Sequence, residues 1–198
     1  MADTKERILQ TALRLFAASG YEAVSVSDIA GALHITKGAL YRHYQSKRDI
    51  FDSILRRMEQ RDAAQAIAHH LPEGTRQEME SAYGAARPEE IISFSKAMFR
   101  YWTEDEFASL FRKMLTLEQF RSAEMGGLYQ QYLVSGPLDY LTDLFSARGL
   151  PKPREKAAAC YGPMFLLYSV YDGAEDRESV TRLLDQCMEN LLRGFRSP

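Results

Sequence analysis

The fold of this 198-residue chain is decided by residues 25–49, which read SVSDIAGALHITKGALYRHYQSKRD. Ser25 and Asp28 stand three residues apart, which is the spacing of a capping box at a helix N-terminus. Thr36 is a residue type favoured at an N-cap and predicts the start of a second short helix. The stretch therefore predicts two short helices joined by a tight turn, followed by the beginning of a third helix.

Apolar residues in this stretch are placed to hold the two helices at the steep angle of a helix-turn-helix. They are Ile29, Ala30, Leu33, Ile35, Leu40 and Tyr44. Between residues 36 and 48 the chain carries four cationic side chains, one histidine and no acid. A helix-turn-helix whose second helix has a basic exposed surface is typical of proteins that enter the major groove of DNA.

The first turn of that second helix, residues 36–39, is expected to reach the base edges, and its free backbone N–H groups favour phosphate. Gly38 costs up to about 1 kcal/mol relative to alanine in a helix interior, which indicates that the backbone approaches DNA closely. The alternative is a three-helix bundle with a solvated basic face. That alternative explains the charges but does not explain Gly38.

The composition is that of a globular protein with a core, since 45% of the residues are hydrophobic and 26% are charged. The net charge is −2, with 10 Lys and Arg against 8 Asp and Glu in residues 1–62, and 15 against 19 in the remainder. A local basic patch can neutralise phosphates while an acidic remainder limits indiscriminate DNA binding. No run approaches the ~18 apolar residues of a membrane span, and two cysteines make no disulfide framework. We therefore expect a cytoplasmic protein.

Helical periodicity dominates the chain, and it predicts an all-α protein of about nine helices. We expect a three-helix helix-turn-helix domain over residues 1–48 and a larger helical ligand-binding and dimerisation domain over 49–198. A connecting helix over 47–71 joins them. The polar residues 72–88 predict a linker or loop.

Single residues predict where other helices begin and end. Asp3 with Glu6 resembles a capping box, and Gly20 suits the left-handed position that closes the first helix. Thr103 with Glu106 resembles another box at the start of a later helix. The pair Gly126-Gly127 indicates the interruption or end of a helix.

One known family shares the pattern of residues 5–55. The features that carry the likeness are ITKGALYRHYQSK at 35–47, with Phe16, Gly20 and Ile29-Ala30 upstream. They resemble the tetracycline-repressor (TetR) family of bacterial transcription regulators, and the rest of the chain matches only in length and helix layout. His34 departs from the glycine or asparagine frequent in the family's turn, although histidine tolerates positive φ.

The resemblance implies roles for nine residues of this domain. Tyr41 and Lys47 would contact phosphate. Base or phosphate contacts would come from Ser27, Thr36, Lys37, Gly38, Ala39, Arg42 and His43.

Aromatic residues are concentrated in the second part of the chain, where residues 83–171 hold 16 of the 22. Core packing explains most of them, while a cavity for a small apolar or aromatic molecule suits aromatic and methionine side chains equally well. The resemblance favours such a cavity. The candidate ligand-binding residues are Phe94, Met98, Trp102, Phe111, Met114, Phe120, Tyr129, Phe165 and Tyr168.

The last helix carries apolar residues at a spacing of three and four over residues 180–195. In a monomer this face would be core, whereas a helix-turn-helix dimer on a two-fold site needs a self-complementary apolar face. The resemblance places that face on the last two helices, as a four-helix bundle. The candidate interface residues are Tyr161, Phe165, Val180, Leu184, Cys187 and Leu191.

Other chemistry has weak support in the sequence. His69 and His70 are neighbours and lack the spacing of a shared metal face. Cys160 and Cys187 lie on apolar helical stretches, which favours buried inert thiols. No nucleophile, metal-protease or phosphate-loop motif is present, so we expect no enzyme, no cofactor and no metal.

These observations predict a homodimer that binds a double-stranded DNA operator and responds to a small-molecule effector. We expect a repressor that an apolar or aromatic effector releases from DNA. The alternative is a TetR-like DNA-bound factor that recruits a protein partner without an inducer. An enzyme that uses the aromatic pocket is the other alternative. The effector, its charge, the operator and the sign of regulation stay open.

Overall fold

A computed structural model describes residues 4–68 and 87–196, and over these ranges the chain forms ten α-helices and no strand. The helices are α1 Thr4–Ser19, α2 Val26–Ala32, α3 Lys37–Tyr41, α4 Lys47–Ala68, α5 Pro88–Glu104, α6 Glu106–Glu118, α7 Ala123–Leu133, α8 Ser135–Ala147, α9 Pro153–Gly173 and α10 Arg177–Arg196. The all-α prediction is confirmed. Among the helices described, none has the length and apolar character that crossing a membrane requires.

Three sequence predictions lie outside the described residues. They are the capping box at Asp3, the pair His69-His70, and all of the 72–88 linker except its last two residues.

The chain divides into two compact units, each made of two separate stretches. The N-terminal unit comprises Met1–Ile67 and Glu106–Tyr129, and the C-terminal unit comprises Ala68–Asp105 and Gln130–Pro198. The division into 1–48 and 49–198 stays a prediction. In the structure, α6 and residues 123–129 of α7 belong to the same compact unit as the helix-turn-helix.

The second stretch of the N-terminal unit packs on the first mainly through α6, which contacts α1. Helix α1 buries one face at helical spacing, with Ile8, Leu13 and Phe16 fully enclosed. Helix α6 buries Phe111 and Met114 completely. Each such side chain contributes about 1.5–3 kcal/mol relative to an exposed one, so α6 is part of the core that holds α1.

The C-terminal unit is built around α9, which packs against α5, α8 and α10. Phe99 stacks on Tyr168 with 5.4 Å between ring centroids, and Tyr171 meets Phe99 edge-on at 6.0 Å. Cys160 is buried beside Ser95, and burial raises the pKa of its thiol to about 11. The thiol is therefore protonated and weakly nucleophilic at neutral pH.

Two helix boundaries differ from the sequence predictions. Thr103 lies inside α5, where its hydroxyl donates to the Phe99 carbonyl at 2.7 Å rather than capping the next helix. Gly126-Gly127 lies inside α7. The chain turns earlier, over residues 119–122, where the Ser122 hydroxyl accepts from the Met125 N–H at 3.2 Å.

Candidate nucleic-acid interface

Helix α2 begins with the capping box that the sequence predicts. The Ser25 hydroxyl accepts from the Asp28 N–H at 3.2 Å, and the Asp28 carboxylate accepts from the Ser25 N–H at 2.7 Å. The hydrogen bonds from the Ser25 hydroxyl and backbone hold the pKa of Asp28 below its usual value. The carboxylate is therefore charged near the positive end of the helix dipole.

The turn between α2 and α3 passes through His34, whose φ of 54° lies in the left-handed region. The His34 N–H donates to the Gly31 carbonyl at 3.0 Å, and the Ile35 N–H donates to the Ala30 carbonyl at 3.0 Å. These bonds satisfy the last carbonyls of α2 and reverse the chain. Histidine therefore occupies the turn where the resembling family often has glycine or asparagine.

Helix α3 is short, and its position is set at both ends. The Thr36 hydroxyl accepts from the Ala39 N–H at 3.1 Å, as an N-cap does. Leu40 and Tyr44 are buried, and the Tyr44 hydroxyl donates to the Lys5 carbonyl at 3.3 Å. Burial raises the pKa of Tyr44 to about 12, so the phenol stays a neutral donor.

The nine residues predicted to contact DNA all lie in the N-terminal unit, between α2 and the first residue of α4. Six of them are exposed: Ser27, Thr36, Lys37, Gly38, Tyr41 and Arg42. The other three, Ala39, His43 and Lys47, are half-buried. Their contacts with DNA stay predictions.

The four cations of this segment fall into two pairs, which the sequence does not distinguish. Lys37 and Arg42 form no ion pair with any residue in the described part of the chain. Lys47 donates to the Tyr21 carbonyl at 2.8 Å. Arg48 binds both carboxylate oxygens of Glu124, at 2.9 and 2.7 Å. Lys37 and Arg42 are thus the cations available to a polyanion.

Gly38 has no packing reason to be glycine in the described structure. A Cβ added there would meet only the Thr36 hydroxyl oxygen, at 3.9 Å, which is an ordinary contact. Because alanine is the better helix former, the protein interior does not explain the choice. A partner that approaches the α3 backbone closely would explain it.

The candidate ligand-binding residues are divided between the two units. The C-terminal unit holds Phe94, Met98, Trp102, Phe165 and Tyr168, and the N-terminal unit holds Phe111, Met114, Phe120 and Tyr129. Phe111 and Met114 are core residues, whereas Phe120 is 90% exposed. The structure therefore does not gather the nine residues within either unit.

The candidate dimer residues are also of two kinds. Tyr161, Val180 and Leu184 are buried within the single chain, and Leu184 is only 1% exposed. Cys187 and Leu191 are half-buried, and Phe165 is exposed. Two exposed residues of α9, Leu166 and Val170, did not enter the sequence prediction; the uncharged run 157–171 could have indicated them.

A capped helix, a tight turn and a second short helix form a helix-turn-helix. Residues 8–54 match the family model described as "Bacterial regulatory proteins, tetR family". The likeness to the tetR family is thus carried by these N-terminal residues.

Curated relatives show further similarity. The HTH-type transcriptional regulator AcrR of Shigella flexneri is 29% identical over 125 residues, which are 63% of this chain and 52% of AcrR. The negative regulator IcaR of the biofilm operon icaADBC of Staphylococcus aureus (strain Newman) is 35% identical over 52 residues, 26% of this chain and 28% of IcaR. The chain thus spans about half the length of AcrR and less of IcaR.

The fold likeness extends beyond the N-terminal domain. The structure of a transcriptional regulator (TerR/AcrR family) from Aquifex aeolicus VF5 is similar, with a TM-score of 0.64 and 18% identity over 98% of each chain. The chain therefore shares the fold of that structure along nearly its whole length.

We predict that Gly38→Ala keeps or raises the free energy of unfolding, by up to about 1 kcal/mol, because alanine is the better helix former and has room. The same substitution should weaken DNA binding, since the methyl group stands where DNA would approach. Chemical denaturation and DNA titration measure the two effects. Unchanged DNA affinity would contradict the close approach.

Proposed function

We propose that the chain is a DNA-binding transcriptional regulator that acts as a homodimeric repressor and leaves its operator when a small apolar or aromatic effector binds. The observation that carries the DNA-binding part is the exposed surface of α3. There Lys37 and Arg42 are free of ion pairs with the described residues, and the backbone at Gly38 is open. Cations on a helix that fits the major groove supply both phosphate and base-edge contacts.

The proposal that the chain represses transcription, rather than activating it, is taken from the names of its relatives. The name of IcaR describes a negative transcriptional regulator of an operon, and IcaR is 35% identical to this chain over 52 residues. Repression needs only that the bound protein excludes the transcription machinery from overlapping DNA. We carry that sign to this chain as part of the proposal.

A second copy is the proposed partner of α9. Its exposed side carries Phe165, Leu166 and Val170, with Leu166 64% exposed, and residues 157–171 bear no charge. A two-fold pairing of such a face buries apolar surface on both copies. A dimer carries two helix-turn-helix units, one for each half-site of a two-fold operator.

The proposed effector site lies in the C-terminal unit. Phe94 faces Tyr140 at 6.0 Å between ring centroids, and Trp102 faces Tyr132 at 6.4 Å. Aromatic rings can pack a flat apolar ligand. An effector that prefers the non-binding conformer about 10- to 100-fold would release DNA by a typical coupling.

A second candidate function is recruitment of a protein partner by the DNA-bound chain. It is favoured by the corner that follows α6, where Phe120 is 90% exposed and Leu117 is 49% exposed. Neighbouring exposed apolar side chains are typical of protein contact sites.

The DNA-binding proposal is tested by selecting bound duplexes from a random library with the full-length chain. We expect a two-fold symmetric sequence, and Arg42→Ala should relax the preference at particular base pairs. A bidentate arginine–guanine contact contributes about 1–3 kcal/mol of discrimination. If the unaltered chain binds all duplexes weakly and enriches no sequence, the result would contradict operator recognition.

The dimer proposal predicts that Leu166→Arg yields a monomer, because the substitution places an unpaired charge in the apolar face. Leu166 is exposed in the single chain, so its fold should survive. Sedimentation measures the mass, and Leu117→Arg, the same change at an exposed leucine of α6, is the matched control. A Leu166→Arg dimer would place the interface elsewhere.

The effector proposal predicts that some small apolar or aromatic compound raises the melting temperature and lowers DNA affinity. Trp102 is the only tryptophan, so its fluorescence should change if the compound binds beside it. A thermal-shift screen repeated with DNA competition is the measurement. If the stabilising compounds leave DNA affinity unchanged, the effector proposal is wrong, and recruitment of a protein partner takes its place as the proposed function.

A further inference from the structure

In the turn between α1 and α2, the backbone of Tyr21 forms hydrogen bonds with two side chains that are distant in sequence. Its N–H donates to Glu118 Oε1 at 3.0 Å, and its carbonyl accepts from Lys47 Nζ at 2.8 Å. Glu118 is the last residue of α6, and Lys47 is the first residue of α4. Two helices distant in sequence thus hold one peptide segment.

The Lys47 ammonium is largely engaged within the protein. It also lies 3.4 Å from the Glu22 carbonyl and 4.2 Å from the centroid of the Tyr21 ring. The ring itself lies against Phe16 and Phe51, at 5.1 and 5.0 Å between centroids. Backbone carbonyls and the aromatic face therefore stabilise the cation where it lies.

Burial of the Glu118 carboxyl costs free energy, and the hydrogen bond that it accepts from the Tyr21 N–H offsets that cost. The side chain is 2% exposed, and its Oε2 atom has no hydrogen-bond partner among the described residues. Gly20 has a φ of +87°, and a Cβ at that residue would overlap Glu118 Oε1. A buried carboxyl with a single backbone partner is expensive, so its position at the turn is specific.

A second contact joins the beginning of α4 to the segment that follows Glu118. Arg48, next to Lys47, binds Glu124 in a bidentate pair and also meets Asp52 at 2.7 Å. Residues 118–124 therefore contact both the turn after α1 and the beginning of α4. The turn leads into α2, against which α3 packs.

We propose that Lys47 and Glu118 are positioning residues that clamp Tyr21 and thereby set the placement of α2 and α3, and that Lys47 does not neutralise a DNA phosphate. This inference rests on the proposed DNA binding. It differs from the phosphate contact that the family resemblance implies for Lys47.

The first test is the salt dependence of binding to a mixed-sequence DNA duplex. A lost phosphate contact lowers the slope of log K against log salt by about 0.9. Lys37→Met, on the exposed surface of α3, should show that change. Lys47→Met should weaken binding about tenfold, a typical coupling, with an unchanged slope, and Lys47→Arg should restore affinity because the guanidinium still donates.

The second test addresses Glu118 and uses hydrogen exchange of the Tyr21 amide. Glu118→Met should speed this exchange and weaken DNA binding without changing the slope, whereas Glu118→Gln keeps an acceptor and should behave like the unaltered chain. If either methionine variant fails to fold, the arginine and glutamine variants still decide the proposal, since loss of DNA affinity in both would overturn it.

The outcomes are distinct. A slope lowered by about 0.9 in Lys47→Met means a phosphate contact, and unaltered DNA affinity in Glu118→Met means no positioning role; each overturns the clamp. Failure of the unaltered chain to bind any duplex would overturn the proposed function instead. The Tyr21 exchange would then still report on the clamp alone.

Discussion

The packing of α1 on α6 is the interaction on which the rest of the N-terminal unit depends. The two helices are separated by almost ninety residues, yet they bury a shared core and are joined at their edge by Arg14 and Glu106 at 2.7 Å. An exposed ion pair of this kind contributes little by itself. The apolar faces supply the stability, and they make residues 106–118 part of the helix-turn-helix unit.

Local signals in the sequence predicted local structure well. The Ser25–Asp28 box, the Thr36 cap and positive φ at Gly20 and His34 all depend on residues within a few positions of each other. Thr103 was misleading because a threonine inside a helix can bond the carbonyl four residues back, and sequence does not separate that from a cap.

Features that depend on distant residues could not be predicted. In the sequence Lys37, Arg42, Lys47 and Arg48 are four equivalent cations. Their division into available and engaged pairs is decided by Tyr21 and Glu124, which lie far from them along the chain. For the same reason apolar periodicity in the last helix did not separate residues that face their own chain from residues that face solvent.

The chain passes between the two compact units three times, after Ile67, after Asp105 and after Tyr129. During synthesis α1 therefore leaves the ribosome long before the helix that covers it. At about 5–20 residues per second, the delay is on the order of ten seconds. Over that interval the apolar face of α1 lacks its partner, and the N-terminal unit can complete its fold only after most of the chain has been made.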